Sequence, residues 1–139
     1  MKLVLDTDVV VAAFRSPTGA SAALLKLARQ GACQLAVSNA LLVEYEAVLT
    51  RPEHLILGER SESDAQALID IIADLAEWVV IDVLWRPQAR DPDDDLVIDA
   101  AVNAGADTIV TFNRRDFGGA PGRFGIACLL PHEALETLR

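Results

Sequence analysis

Positive charge is scarce in this sequence: 12 Lys and Arg stand against 21 Asp and Glu, a formal charge of -9, and only two of the cations, Lys2 and Lys26, are lysines. That balance excludes a protein that grips nucleic acid through a broad basic surface, because that mode needs Lys and Arg to neutralise phosphates. It leaves open an enzyme whose acids are ligands for cations. Cysteine is equally sparse: Cys33 and Cys128 each sit in an apolar context without His or Cys at metal spacing, so free thiols are expected rather than a zinc site or a disulfide. Long hydrophobic runs are missing although 52% of residues are hydrophobic. None approaches the roughly 18 uninterrupted positions of a membrane span, and Met1 to Asp6 lacks the apolar region and cleavage site of a secretory leader. A soluble, cytoplasmic protein is the expectation. At 139 residues the default is one domain, 1–139, with a core that needs no covalent staples.

What is present alternates. Residues 2–5 read as a short strand ending at Asp6, and the apolar run 9–14 leads to the Ser16-Pro17-Thr18-Gly19 turn. Apolar positions recur at helical spacing over 19–30, with Gly31 as a stop. A strand over 34–37 follows, then a helix capped by Ser38 or Asn39 that stops near Arg51-Pro52. Residues 53–60 read as a link. Ser61 or Ser63 opens a longer amphipathic helix, followed by a strand over 78–83 and a polar loop over 86–91. Pro92 suits the first turn of a helix over 93–104 whose acidic start complements the helix dipole. A β-branched strand over 108–111, a short turn or helix over 113–117, a Gly/Pro-rich loop over 118–125, a strand over 126–130 and a terminal helix from Pro131 complete the chain. Strands alternating with helices predict an α/β fold, three layers α/β/α, around a mostly parallel sheet of four to five strands.

In such a sheet functional groups gather beyond the C-terminal ends of the strands. Four acids or acid clusters fall there: Asp6, Glu44, the group Asp91, Asp93, Asp94 and Asp95, and Asp116. Taken singly, each has an ordinary explanation as a cap, a solvated helix residue or a dipole partner. Together at one rim they would repel one another and take up protons unless a cation compensates. Oxygen ligands without Cys or His select Mg²⁺ or Mn²⁺, which suits phosphodiester or phosphoryl chemistry. Within the acidic helix Asp94 stands at the edge of the apolar stripe formed by Leu96, Val97, Ala100, Ala101 and Ala104, whereas Asp95 and Asp99 share a stripe that reads as solvated.

Four ordered segments resemble PIN-domain ribonucleases, and within them the VapC-like toxin components of type II toxin-antitoxin pairs. They are Leu3-Val4-Leu5-Asp6-Thr7-Asp8-Val9, Val37-Ser38 with Leu42-Val43-Glu44-Tyr45-Glu46-Ala47-Val48-Leu49-Thr50-Arg51-Pro52, Arg90-Asp91-Pro92-Asp93-Asp94-Asp95, and Gly105-Ala106-Asp107 through Val110-Thr111 to Asp116-Phe117. The resemblance implies a catalytic and metal-binding set of Asp6, Glu44 and Asp94, with Asp116 as a more variable fourth acid. Thr7, Ser38 and Thr111 match hydroxyl positions near the site. The family often has Asn where this chain has Asp8, and Asp where it has Asn113, which leaves the division of ligands among Asp8, Asn113 and Asp116 open. The implied activity is hydrolysis of single-stranded RNA with one or two Mg²⁺ or Mn²⁺ ions. Arg15, Arg51, Arg114 and Arg115 are the cations available to guide RNA. A cognate antitoxin is the implied partner; homodimers are frequent in similar proteins, and the helices over 19–30 and 61–77 offer apolar faces for one, although core packing explains the same residues.

Two other readings compete. Asp6-Thr7-Asp8-Val9 and Leu35-Ala36-Val37-Ser38-Asn39 fit a phosphatase of the haloacid-dehalogenase type, but no lysine lies between Ser38 and Asp94 and Glu44 has no role in it. A non-catalytic binding module would dock to a partner and keep the acids without using them.

Overall fold

The computed structural model describes residues 1–82 and 92–139, and Pro92 through its backbone alone. Five strands form one sheet in which every pairing is parallel: β1 (Lys2–Leu5), β2 (Gln34–Ser38), β3 (Glu77–Val79), β4 (Thr108–Val110) and β5 (Ala127–Leu129), in the order β3-β2-β1-β4-β5. Helices flank it in the expected three-layer arrangement. They are α1 (Thr7–Arg15), α2 (Ala20–Arg29), α3 (Asn39–Leu49), α4 (Pro52–Leu57), α5 (Glu62–Leu75), α6 (Pro92–Ala104), the short turns α7 (Arg114–Phe117) and α8 (Ala120–Arg123), and α9 (Pro131–Leu138).

The central strand β1 is buried on both faces, which is why it reads as an unbroken Leu-Val-Leu run. From β1 the chain winds outward to β2 and β3, then crosses back through α6 to β4 on the other side of β1. The reversal between β1 and β4 is the topological switch point, where the loops leaving adjacent strands diverge and open a crevice. Leu3, Val4, Val9, Val10, Leu41, Leu49, Val97 and Ile109 make the core that holds the two halves together.

Several helix ends match their sequence signals. Ser38 caps α3, its Oγ accepting from the Leu41 N–H at 3.1 Å. Ser61 and Asp64 form a capping box at α5, with reciprocal bonds of 3.1 and 2.8 Å. Gly105, at φ 63°, ends α6 in a left-handed turn that side chains resist.

Other expectations change. The apolar run 9–14 is helical, part of α1, and begins directly after Asp6. The segment read as a link contains α4, which escaped notice because none of its residues is buried and so no apolar stripe marks it. The Gly/Pro-rich loop holds the single turn α8. The strand over 78–83 is shifted to Glu77–Val79, its last expected residue lies outside the described residues, and so does the loop over 86–91 with Asp91. Asp95 and Asp99 are buried, each 4% exposed, rather than solvated. The reason is that α6 rests against β1, β2, β4 and α3 together, so more than one of its faces is enclosed. Leu24 and Leu25 of α2 and Ile69 and Ile72 of α5 lie in the core, while the large exposed apolar side chains nearby are Val43 on α3 and Ile56 and Leu57 on α4. Both cysteines are free, Cys33 buried and Cys128 half-buried.

One buried contact joins fold and site. The Tyr45 hydroxyl, on a side chain only 1% exposed, donates to the Leu5 carbonyl at the end of β1. This bond fixes α3 against the strand end, one residue from Asp6 on one side and one from Glu44 on the other. Burial, and secondarily the Asp6 charge, hold the Tyr45 phenol well above its ordinary pKa, so it stays a donor. Tyr45→Phe is expected to cost about 1–2 kcal/mol by stranding that carbonyl. A urea titration of both proteins would show it; an unchanged midpoint would mean that the bond contributes nothing.

Candidate active site

Asp6 is the residue at which β1 becomes α1, and the local sequence explains its position. Its backbone N–H still belongs to the sheet, donating to the Val110 carbonyl at 2.9 Å, while its side chain caps the helix by accepting from the Thr7 N–H at 2.7 Å. The second carboxylate oxygen accepts from the Thr111 hydroxyl at 2.7 Å, just past the end of β4. Asp6 is thus held across the switch point and is 6% exposed. Burial raises its pKa; the bonds from Thr111 and Thr7 oppose that effect, and the Asp116 charge adds to it.

Asp8 lies within the first turn of α1 and is tied to the same neighbouring loop. Its Oδ2 accepts from the Phe112 N–H at 3.2 Å and from Asn113 Nδ2 at 2.9 Å. Its Oδ1 is buried and has no hydrogen-bond partner. Burial, then the charges of Asp6 and Asp94, push the Asp8 carboxyl up to about 7. A carboxylate in this state is short of positive charge.

A cavity of about 300 Å³ opens over these groups, lined by Asp6, Thr7 and Asp8 from the β1–α1 junction, Glu44 and Val48 from α3, Arg51 and His54 from the start of α4, Asp93 and Asp94 from α6, and Val11. Asp6, Glu44 and Asp94, predicted from three distant segments, therefore share one cavity wall. Asp93, Arg51 and His54 join them. Arg51 was legible as a loop-proximal cation; His54 was not, because it sits in the helix that sequence reading took for a link.

Asp116 lines a second cavity, of about 400 Å³, with Phe112, Asn113, Arg114, Arg115 and Leu130. Asp8 connects the two through its bonds to Phe112 and Asn113. Thr111 serves as the donor that orients Asp6, and it also accepts from the Asn113 N–H at 2.9 Å. Ser38 is buried and occupied as the α3 cap. Arg114 pairs with Glu133 at 3.1 Å, and Arg15 lies at the far end of α1 from the cavity.

Among the described residues, no three His, Cys, Asp or Glu side chains form a ready-made metal cluster. The donor set still suits a hard cation. Five of the ten residues lining the first cavity carry carboxylates, and the orphaned Asp8 Oδ1 is a buried acceptor without a donor.

The sequence matches a family model described as PIN domain over residues 2–115. No curated protein matches it significantly. Among solved structures it is similar in fold to a chain in the crystal structure of VapBC2 from Rickettsia felis bound to a DNA fragment from their promoter, with a TM-score of 0.61 at 17% identity, covering 92% of this chain and 97% of that one.

Proposed function

This chain belongs to the PIN-domain family, and from that premise we propose that it is a divalent-metal-dependent ribonuclease that hydrolyses phosphodiester bonds of single-stranded RNA. The observation that carries the reading is the convergence of Asp6, Asp8, Glu44 and Asp94, from three segments of the chain, on one cavity at the switch point of the sheet. Family membership also removes the ground for the phosphatase alternative, which left Glu44 idle. The carboxylates would hold one or two Mg²⁺ or Mn²⁺ ions. When bound, such an ion makes water a stronger nucleophile and offsets charge on the reacting phosphate.

The chain's own groups do the rest. Thr111 and the Thr7 N–H keep the Asp6 oxygens in fixed directions, and Asn113 and the Phe112 N–H do the same for Asp8. Arg51 lines the same cavity and offers a guanidinium to phosphate oxygens. Asp116 is assigned to the adjoining cavity, where it would act on the substrate side or as an outlying ligand.

The test is direct. Purified protein is expected to cleave single-stranded RNA with Mg²⁺ or Mn²⁺ and to lose that activity in excess EDTA; robust cleavage in EDTA would overturn the metal-dependent reading. We further assign the chain to the cytoplasm as the toxin of a type II pair, a reading that the fold likeness to a VapBC2 chain supports; among the described residues no helix is long and apolar enough to cross a membrane. Its partner would be a small antitoxin encoded beside it, and a homodimer belongs to the same reading. Co-purification of the product of the adjoining reading frame, with loss of ribonuclease activity in the complex, is the expected outcome.

A further inference from the structure

We propose that the cleft beside the acidic cavity is a subsite for one unpaired RNA base, with Phe112 as its stacking platform. The inference rests on the ribonuclease reading and specifies how its substrate is held. Phe112 is 49% exposed, whereas Phe14 and Phe117 are 5% and 1% exposed in the core. Its position is fixed rather than incidental. The Phe112 N–H donates to Asp8, the preceding Thr111 donates to Asp6, and the following Asn113 donates to Asp8. The aromatic ring is therefore carried by a three-residue strap bound to the two carboxylates at the base of the acidic cavity.

The surroundings suit a nucleotide. Phe112 lines the second cavity with Asn113, Arg114, Arg115, Asp116 and Leu130. Arg114 is engaged by Glu133. Arg115 is exposed, and among the described residues no carboxylate pairs with it. An aromatic face beside a free guanidinium is the pairing that single-strand binding uses, the ring taking a base and the cation its phosphate. A base inside a duplex cannot present its face to the ring, so this subsite selects single strands. It also reconciles an acidic protein with a nucleic-acid substrate, since stacking needs no net positive charge.

The experiment measures fluorescence anisotropy of a labelled single-stranded RNA 12-mer, with Mg²⁺, on the Asp94→Asn protein carrying further changes at position 112. Phe112→Ala and Phe112→Leu are expected to weaken binding by about 5- to 100-fold, with Phe112→Trp keeping it. In oligonucleotides carrying one abasic site, the position that costs affinity with Phe112 should cost nothing with Phe112→Ala, a coupling that a purely structural role would not produce. Equal affinity for the Leu and Trp variants, or an abasic penalty that persists in Phe112→Ala, overturns the subsite. If the Ala variant fails to fold, the Leu and Trp comparison decides alone. Failure of the underlying reading is separate: it is the absence of metal-dependent RNA cleavage by the unmutated chain.

Discussion

Asp6→Asn, Glu44→Gln and Asp94→Asn are each expected to lower metal-dependent RNA cleavage by more than about 100-fold, since even groups that only support metal ligands are commonly worth about 10- to 100-fold. The three residues come from the β1–α1 junction, α3 and α6, and the substitutions keep size and shape, so a shared loss would mark one site rather than three local defects. Asp116→Asn is expected to have a smaller effect because Asp116 lines the adjoining cavity. Each variant should keep the circular dichroism spectrum of the parent. Full activity in Asp94→Asn would remove α6 from the chemistry.

The second large effect concerns stability. Asp8 is raised from 3.8 to about 7 in the folded protein, and Asp6 is raised as well. Between those two values the folded state keeps a proton on Asp8 that the unfolded chain has released. Stability of the metal-free protein therefore falls as pH rises through that window and stays low above it. Asp64 is shifted the other way, lowered by its bonds to Ser61, and its contribution is lost only as pH falls below the window. Without metal, the melting temperature should be higher at pH 5.5 than at pH 8, by several degrees for a chain of this size. Mg²⁺ or Mn²⁺ at pH 8 should restore it, because a ligand that binds only the folded state stabilises it. Asp8→Asn should flatten the pH dependence and raise the melting temperature at pH 8. A metal-free melting temperature that rises between pH 5.5 and 8 would show that Asp8 is not held short of positive charge.

Much of this was readable in the sequence where local chemistry and periodicity agreed. The buried run of β1, the Ser38 and Ser61 caps and the stop at Gly105 each combine a short-range signal with a matching burial pattern. Asp94, singled out by its place at the edge of an apolar stripe and by the family resemblance, lines the first cavity. Reading failed where packing overrode pattern. Residues 9–14 read only as an apolar run; they are helical because Asp6 caps α1 at its start and Val9, Val10 and Phe14 pack into the core. Helix α4 has no fully buried residue, only Leu55 resting partly against the core, and so carries no stripe, which hid His54 in the cavity wall. Asp95 and Asp99 looked solvated because periodicity describes one buried face, and α6 has more than one. The strap from Thr111 to Asn113 was beyond sequence reading altogether: nothing local in Asp6 or Asp8 states that their partners lie about a hundred residues away.

That separation gives the protein an order of assembly. Asp6 receives its buried hydrogen bond from Thr111 across 105 positions, and β1 takes its second neighbour from β4. A growing chain that has passed α6 already carries Asp6, Glu44 and Asp94, but not the threonine and asparagine that aim the first carboxylate and steady its neighbour. Those contacts exist only once the segment through Asn113 has been made. On the ribonuclease reading proposed above, products truncated before Thr111 would carry the acids without the contacts that orient Asp6 and Asp8.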